Sequence, residues 1–311
     1  MPPAGPGTHH DADLRLGTLA GVAAYSLWGV FPLVFRLLDS VAPTEVLVHR
    51  IVWSLCVVLV LLAVRRERHW FRAVRSLPGA LPRLALAALL IAVNWGVYIW
   101  AVNSDHVVEA ALGYYVNPLI TVALGVVVLG ERLRRLQHVA LAFGAAAVVV
   151  LTLAYGRPPW IALVLACSFG GYGYLKKSVP VGAVTSLAVE TLVLAPVAAT
   201  WLVLLEVTGE AAFLHGSAGR DVLLVSLGVV TAVPLLLFGT AARRIPLSLL
   251  GLLQYLTPTL QLLCGVVVFH EPLPPERLVG FVLVWVALVV LALDALGTRR
   301  RTEPLPVAEP A

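Results

Sequence analysis

Charge is the scarcest commodity in this chain. Asp, Glu, Lys and Arg supply 13% of its 311 residues, against about a quarter in an ordinary globular domain, which excludes a fold that keeps a solvated surface all round. Cysteine is nearly absent as well. Cys56, Cys167 and Cys264 are the only three; all fall in apolar runs with no CxxC spacing, so they read as small packing residues and not as a disulfide framework or a metal site. No GxxxxGK loop followed by Ser or Thr, no HExxH, no GxSxG and no aspartate-rich metal motif occurs. These absences leave ATP-driven and hydrolytic chemistry without a recognisable centre, and no cofactor is expected. The first residues, MPPAGPGTHHDADLRLG, lack a basic leader before a short apolar core, so no signal peptide is expected and His9 and His10 sit in a solvated tail.

What is abundant is hydrophobicity: 60% of residues and a mean hydropathy of +0.93. A polytopic, all-α membrane protein follows. The net charge of +5 does not indicate nucleic acid, because the cations lie in short runs between apolar segments instead of on one face. Taking about 20 apolar residues per crossing, ten spans are expected, at 15–38, 44–64, 83–103, 108–130, 137–155, 159–177, 183–206, 221–242, 247–270 and 278–297. Residues 1–14 and the basic, Pro-rich 298–311 read as disordered tails.

Alternate connections carry the cations: Arg65, Arg66, Arg68, Arg72, Arg75 and Arg83; Arg132, Arg134 and Arg135; Lys176 and Lys177; Arg243 and Arg244; Arg299 to Arg301. Lys and Arg concentrate on the cytoplasmic side of short loops. Both termini are therefore expected in the cytoplasm of a plasma (inner) membrane protein, with the loops near Asp39, Asp105, Arg157, Glu210 and Glu276 outside.

The chain also repeats itself. PLITVALGVVVLGERL at 118–133 aligns without gaps on PTLQLLCGVVVFHEPL at 258–273, an offset of 140 (258 − 118) that also pairs Tyr115 with Tyr255. Two five-span units, 15–155 and 156–297, are expected. Five being odd, the second enters the membrane from the opposite side, giving inverted repeats whose substrate site lies between them near the midplane. The loops agree: the matched motif reads GERLRR in one copy and HEPLPPER in the other.

Paired Pro-interrupted segments are the best sequence pointer to such a site. Here they are LGYYVNP and GLLQYLTP, with Pro118 and Pro258 expected to break their helices and Tyr114, Asn117, Gln254, Tyr255 and Thr257 expected near a cavity, although Asn117 and Thr257 fit equally well as partners of kinked backbone. Asn94 and Tyr98 share a helical face and would line one wall. Trp28, Tyr172 and Tyr174 fit packing better than a site. TEVLVHRIVWS opens the second span with Glu45, His49 and Arg50. The first two are i, i+4 neighbours near the outer boundary. Arg50 at a bilayer's centre would cost roughly 2.5–3.5 kcal/mol, so it either snorkels outward or serves a cavity. Under the 140 offset it maps to Glu190, an opposite charge at mirrored depth roughly 12 Å away along the membrane normal. Glu190 could bind a cationic group or take up a proton, whereas Glu109 reads as a helix N-terminal charge. The small-residue spacing GTLAG at 17–21 fits helix packing within one bundle or between two protomers of a homodimer.

At this point AAYSLWGVFP, EVLVHRIVWS, NWGVYIWAVN, EAALGYYVNPL, LGERLRRLQ and QYLTPTL together resemble the EamA family of the drug/metabolite transporter superfamily, over nearly the whole chain. The resemblance implies a ten-helix permease of two EamA repeats, associated by name with chloramphenicol sensitivity, without a defined substrate. The function expected is secondary, proton-coupled transport of a small metabolite or drug-like solute by alternating access, with lipids as the surrounding partner. A second reading is a membrane-embedded enzyme for a lipid-linked substrate, with His49, Asp105, His106 and Glu109 as its acid/base group.

Overall fold

The computed structural model describes the backbone of residues 6–129, 133, 135–242, 244–245 and 253–302, and their side chains apart from 6–12, 125, 126, 128, 129, 177, 242 and 295–302. The described residues are all-helical, without a strand. Eight stretches are long and apolar enough to cross a membrane: Asp13–Arg36, Pro43–Val64, Ala80–Asn103, Val107–Leu124, Arg135–Tyr155, Ala183–Thr208, Ala218–Ala241 and Pro275–Asp294. Helix α8 (Trp160–Lys177) and the apolar segment Leu256–Val268 stand where the other two spans are expected. Residues 246–252, the start of the ninth expected span, and most of GERLRR lie outside the described residues.

Within this frame the first span is two helices, α1 (Pro6–Gly29) and α2 (Phe31–Arg36). Pro32 sits in the first turn of α2, where its missing N–H costs nothing, so the chain breaks at Val30 instead of running straight. Among the described residues, Pro6 and Thr302 are both helical, so helix occupies part of each segment expected to be a tail. The rest of the first half is α3 (Pro43–Val64), a short basic α4 (Trp70–Arg75), α5 (Ala80–Asn103), α6 (Val107–Leu129) and α7 (Arg135–Tyr155). The second half continues with α9 (Ala183–Thr208), α10 (Ala218–Ala242), α11 (Leu256–Leu263) running into a π-helical turn at Cys264–Val268, and α12 (Pro275–Thr302).

The packing has the two-fold character that the repeat predicts. Helix α1 packs on α10 as α8 packs on α5; α6 packs on α8 as α11 packs on α1; α3 meets α9, and α7 meets α12, across the centre. Glycine makes the closest crossings possible. A methyl group on Gly228 of α10 would stand 2.4 Å from the Trp53 carbonyl of α3, and one on Gly113 of α6 would stand 2.9 Å from the Ala162 carbonyl of α8. Gly17 and Gly21 of the GTLAG spacing lie against Arg244, Ile245 and Leu253, so that small-residue stripe is used inside the bundle.

The two prolines differ. Helix α6 passes through Pro118 without interruption, contrary to the expected break, with the Asn117 carbonyl accepting from Thr121 Oγ1 at 3.0 Å. Pro258 falls in the first turn of α11, where no backbone donor is needed. Only the second copy therefore interrupts its helix, just before this proline.

Candidate functional site

Arg50 projects from α3 into the bundle interior and is 4% exposed. It does not snorkel. Its Nε donates to Thr231 Oγ1 of α10 at 3.0 Å, and the guanidinium lies over the Trp95 ring of α5 at 4.0 Å, with the Phe31 and Phe35 rings of the first span each 5.6 Å away. Both halves thus contribute to one polar and aromatic cluster around a single cation. Tyr98 closes its wall against Phe35 and Tyr114, and its hydroxyl is buried with no hydrogen-bond partner among the described residues.

Glu190, the repeat partner of Arg50, is 1% exposed and lies in a different setting. Its carboxylate accepts from Ser186 Oγ at 2.6 Å and Tyr172 OH at 3.1 Å, and pairs with Lys176 Nζ at 3.2 Å. Lys176 also donates to Tyr172 OH at 2.8 Å. Arg50 and Glu190 make no ion pair with each other, as their mirrored depths predict.

Asn94 and Tyr114 are brought together, the phenol donating to Asn94 Oδ1 at 3.1 Å, while Asn94 Nδ2 donates to the Leu165 carbonyl and Ser168 Oγ of α8. Asn94 is thereby a strut between halves, its hydrogen-bonding capacity largely used. Asn117 is buried with Oδ1 unpartnered. Thr257 Oγ1 donates to the Tyr25 carbonyl of α1 at 2.8 Å, so it satisfies another helix's backbone and not that of its own kink. Gln254 and Tyr255 are half-buried, Tyr255 against the Leu112–Phe281 cluster between α6 and α12. Trp28 packs on Tyr25 and Phe238.

One end of the bundle is fastened by carboxylates. Glu271 accepts from the Val107 and Val108 amides at 2.7 and 2.9 Å, capping α6 from the loop before α12. Glu109, read from sequence as a charge at its own helix terminus, instead reaches the start of α8: it accepts from the Ile161 amide at 3.2 Å and Arg157 Nη2 at 3.0 Å. The N-terminal amides of α8 carry the same partial positive charge as its own, and here the neighbour's are nearer. Glu45 accepts from the Ala212 and Phe213 amides at 2.8 and 3.1 Å with His49 Nε2 3.8 Å away, while Trp53 Nε1 donates to His49 Nδ1. All three clamps join the first half to the second. Burial pushes the Glu271 carboxyl up from its ordinary pKa, and the two amide bonds pull it back down. Glu271, Thr231, Trp95 and Ser186 escaped the sequence reading, and Lys176, counted there only as a loop cation, pairs with Glu190. For Glu271 alone there was a signal, the glutamate shared by the two copies of the repeat; its counterpart Glu131 lies outside the described residues.

Comparison with known proteins bears on what this arrangement is for. Residues 15–153 match the model of the EamA-like transporter family. A protein called RarD from Streptomyces exfoliatus is 53% identical over 291 residues, 93% of this chain and 92% of that protein. The chain belongs to the EamA-like transporter family. It is a multi-pass membrane protein of the drug/metabolite transporter superfamily, with the ten-helix, two-repeat EamA architecture. An uncharacterized transporter of Pseudomonas aeruginosa is 45% identical over 292 residues, 93% of this chain and 97% of that one. Among solved structures, a crystal structure of a protein 22% identical to this EamA member shares its fold at a TM-score of 0.57, over 91% of this chain and 99% of the other.

Proposed function

We propose that the protein is a secondary permease that carries a small metabolite or drug-like solute by alternating access of the units 15–155 and 156–297, coupled to protons. The observation that carries this is the buried cation Arg50, enclosed by α3 and α5 from one half and α10 from the other. A rocking motion between halves would open the surroundings of this cation to one side and then the other. The carboxylate clamps at Glu45, Glu109 and Glu271 all cross between halves. In this reading that end faces outside, both termini face the cytoplasm of the plasma membrane, and the clamps hold the outer side shut.

Glu190 is the proton carrier in this scheme. Protonation would release Lys176 and let the Tyr172 and Ser186 hydroxyls reorient, coupling a charge change in the second half to its packing. A relative from Pseudomonas aeruginosa, 31% identical over 293 residues, is called a chloramphenicol-sensitive protein, which makes chloramphenicol one solute to include. The enzyme reading gains no support from the residues it needs: Asp105 pairs with Arg36, Glu109 is engaged at α8, His106 stacks on Trp100, and His49 is held by Trp53.

The test is flux in proteoliposomes under an imposed pH gradient, with a radiolabelled solute panel that includes chloramphenicol. The expected result is gradient-driven movement of at least one solute, abolished by Glu190→Gln although the variant still inserts. Conversion of a lipid-linked substrate to product would favour the enzyme instead, and unchanged gradient-driven flux in Glu190→Gln would remove Glu190 from the proton role.

A further inference from the structure

The chemistry of the solute is written in what Arg50 lacks. A guanidinium has five N–H donors; here Nε donates to Thr231, and Nη1 and Nη2 donate to nothing among the described residues. Among the described residues no carboxylate pairs with it either, since Glu45 is engaged by the Ala212 and Phe213 amides and Glu190 by Lys176. Stacking on Trp95 offsets part of the cost of placing a cation inside the bundle, but it does not neutralise the charge. The two terminal nitrogens therefore remain available to an anion. Beside the cation the Tyr98 hydroxyl is a second unused donor, and Trp95, Phe31 and Phe35 surround the site with aromatic faces.

Resting on the permease reading above, we propose that the solute carries a carboxylate on a planar or aromatic frame. The carboxylate docks on the two free nitrogens of Arg50, in the paired geometry that a guanidinium favours, and takes the Tyr98 hydroxyl as a further donor. A cationic solute is excluded from this site by the fixed positive charge, and a neutral one leaves that charge unanswered.

The experiment is thermal unfolding of the purified full chain in detergent with three near-isosteric probes that differ in charge: benzoate, benzamide and benzamidine. Benzoate should raise the melting temperature saturably, while benzamide and benzamidine should leave it unmoved. Arg50→Gln should weaken the benzoate response at least tenfold. Should that variant fail to fold, Tyr98→Phe, which removes only the unpaired hydroxyl, should weaken it several-fold. The proposal is overturned if the neutral or cationic probe stabilises as well as benzoate, if no probe stabilises, or if the benzoate response survives both substitutions. Binding without flux of any solute would sink the permease reading and spare the anion site; flux of a neutral or cationic solute with no benzoate response would do the reverse.

Discussion

Arg50 and Glu190 occupy the same place in the two halves and are provided for in opposite ways. Glu190 has two hydroxyl donors and an ammonium around its carboxylate; Arg50 has one hydroxyl acceptor and a ring of aromatic faces. A buried charge whose partners are all built in holds the resting fold until a proton displaces them. One whose partners are missing is poised for something that comes and goes. The repeat therefore supplies equivalent positions, and divergence has made one of them a lock and the other a receptor.

Breaking the lock should have the largest effect. Lys176→Ala leaves the Glu190 carboxylate buried and unpaired, which should cost about 3 kcal/mol, the low end for a broken buried pair, because the lysine side chain is 23% exposed. Arg50→Gln removes a charge that has no counterion and should cost less; thermal melts of the two variants side by side measure this, and equal losses would erase the contrast. Next, Glu271→Gln withdraws the anion from the α6 terminus and should cost about 1–2 kcal/mol, with faster labelling of a cysteine placed at Val108 as the local readout. Smallest, Thr231→Val removes the one side-chain hydrogen bond that Arg50 makes among the described residues, about 1 kcal/mol; it should lower benzoate affinity more than it lowers the melting temperature.

Much of the frame was legible because it rests on periodic signals. The apolar spans, the Tyr115 and Tyr255 register and the Glu45–His49 spacing are local or repeated in the chain: eight spans stand as long apolar helices, Tyr115 and Tyr255 join one cluster, and His49 lies 3.8 Å from Glu45. The proline breaks were only half right, because a proline in a first turn and one inside a helix look alike in sequence, and packing decides whether a helix continues through it. What was illegible is every contact made at long range. Glu271 and Val107 are 164 residues apart, and Arg50 and Thr231 are 181 apart, so no spacing rule could join them. Glu109 shows the same limit from the other side: a carboxylate in a first turn is correctly favoured near positive backbone, but which helix offers the nearer amides is settled only by how the two halves meet.

The inverted arrangement of those halves is the claim on which the rest stands. In a background lacking Cys56, Cys167 and Cys264, single cysteines at Leu133 and at Pro272, in the two copies of the matched loop, would be labelled in intact cells with a membrane-impermeant maleimide. Pro272→Cys should react from outside, and Leu133→Cys only after the membrane is opened. Reaction of both from the same side would contradict the account.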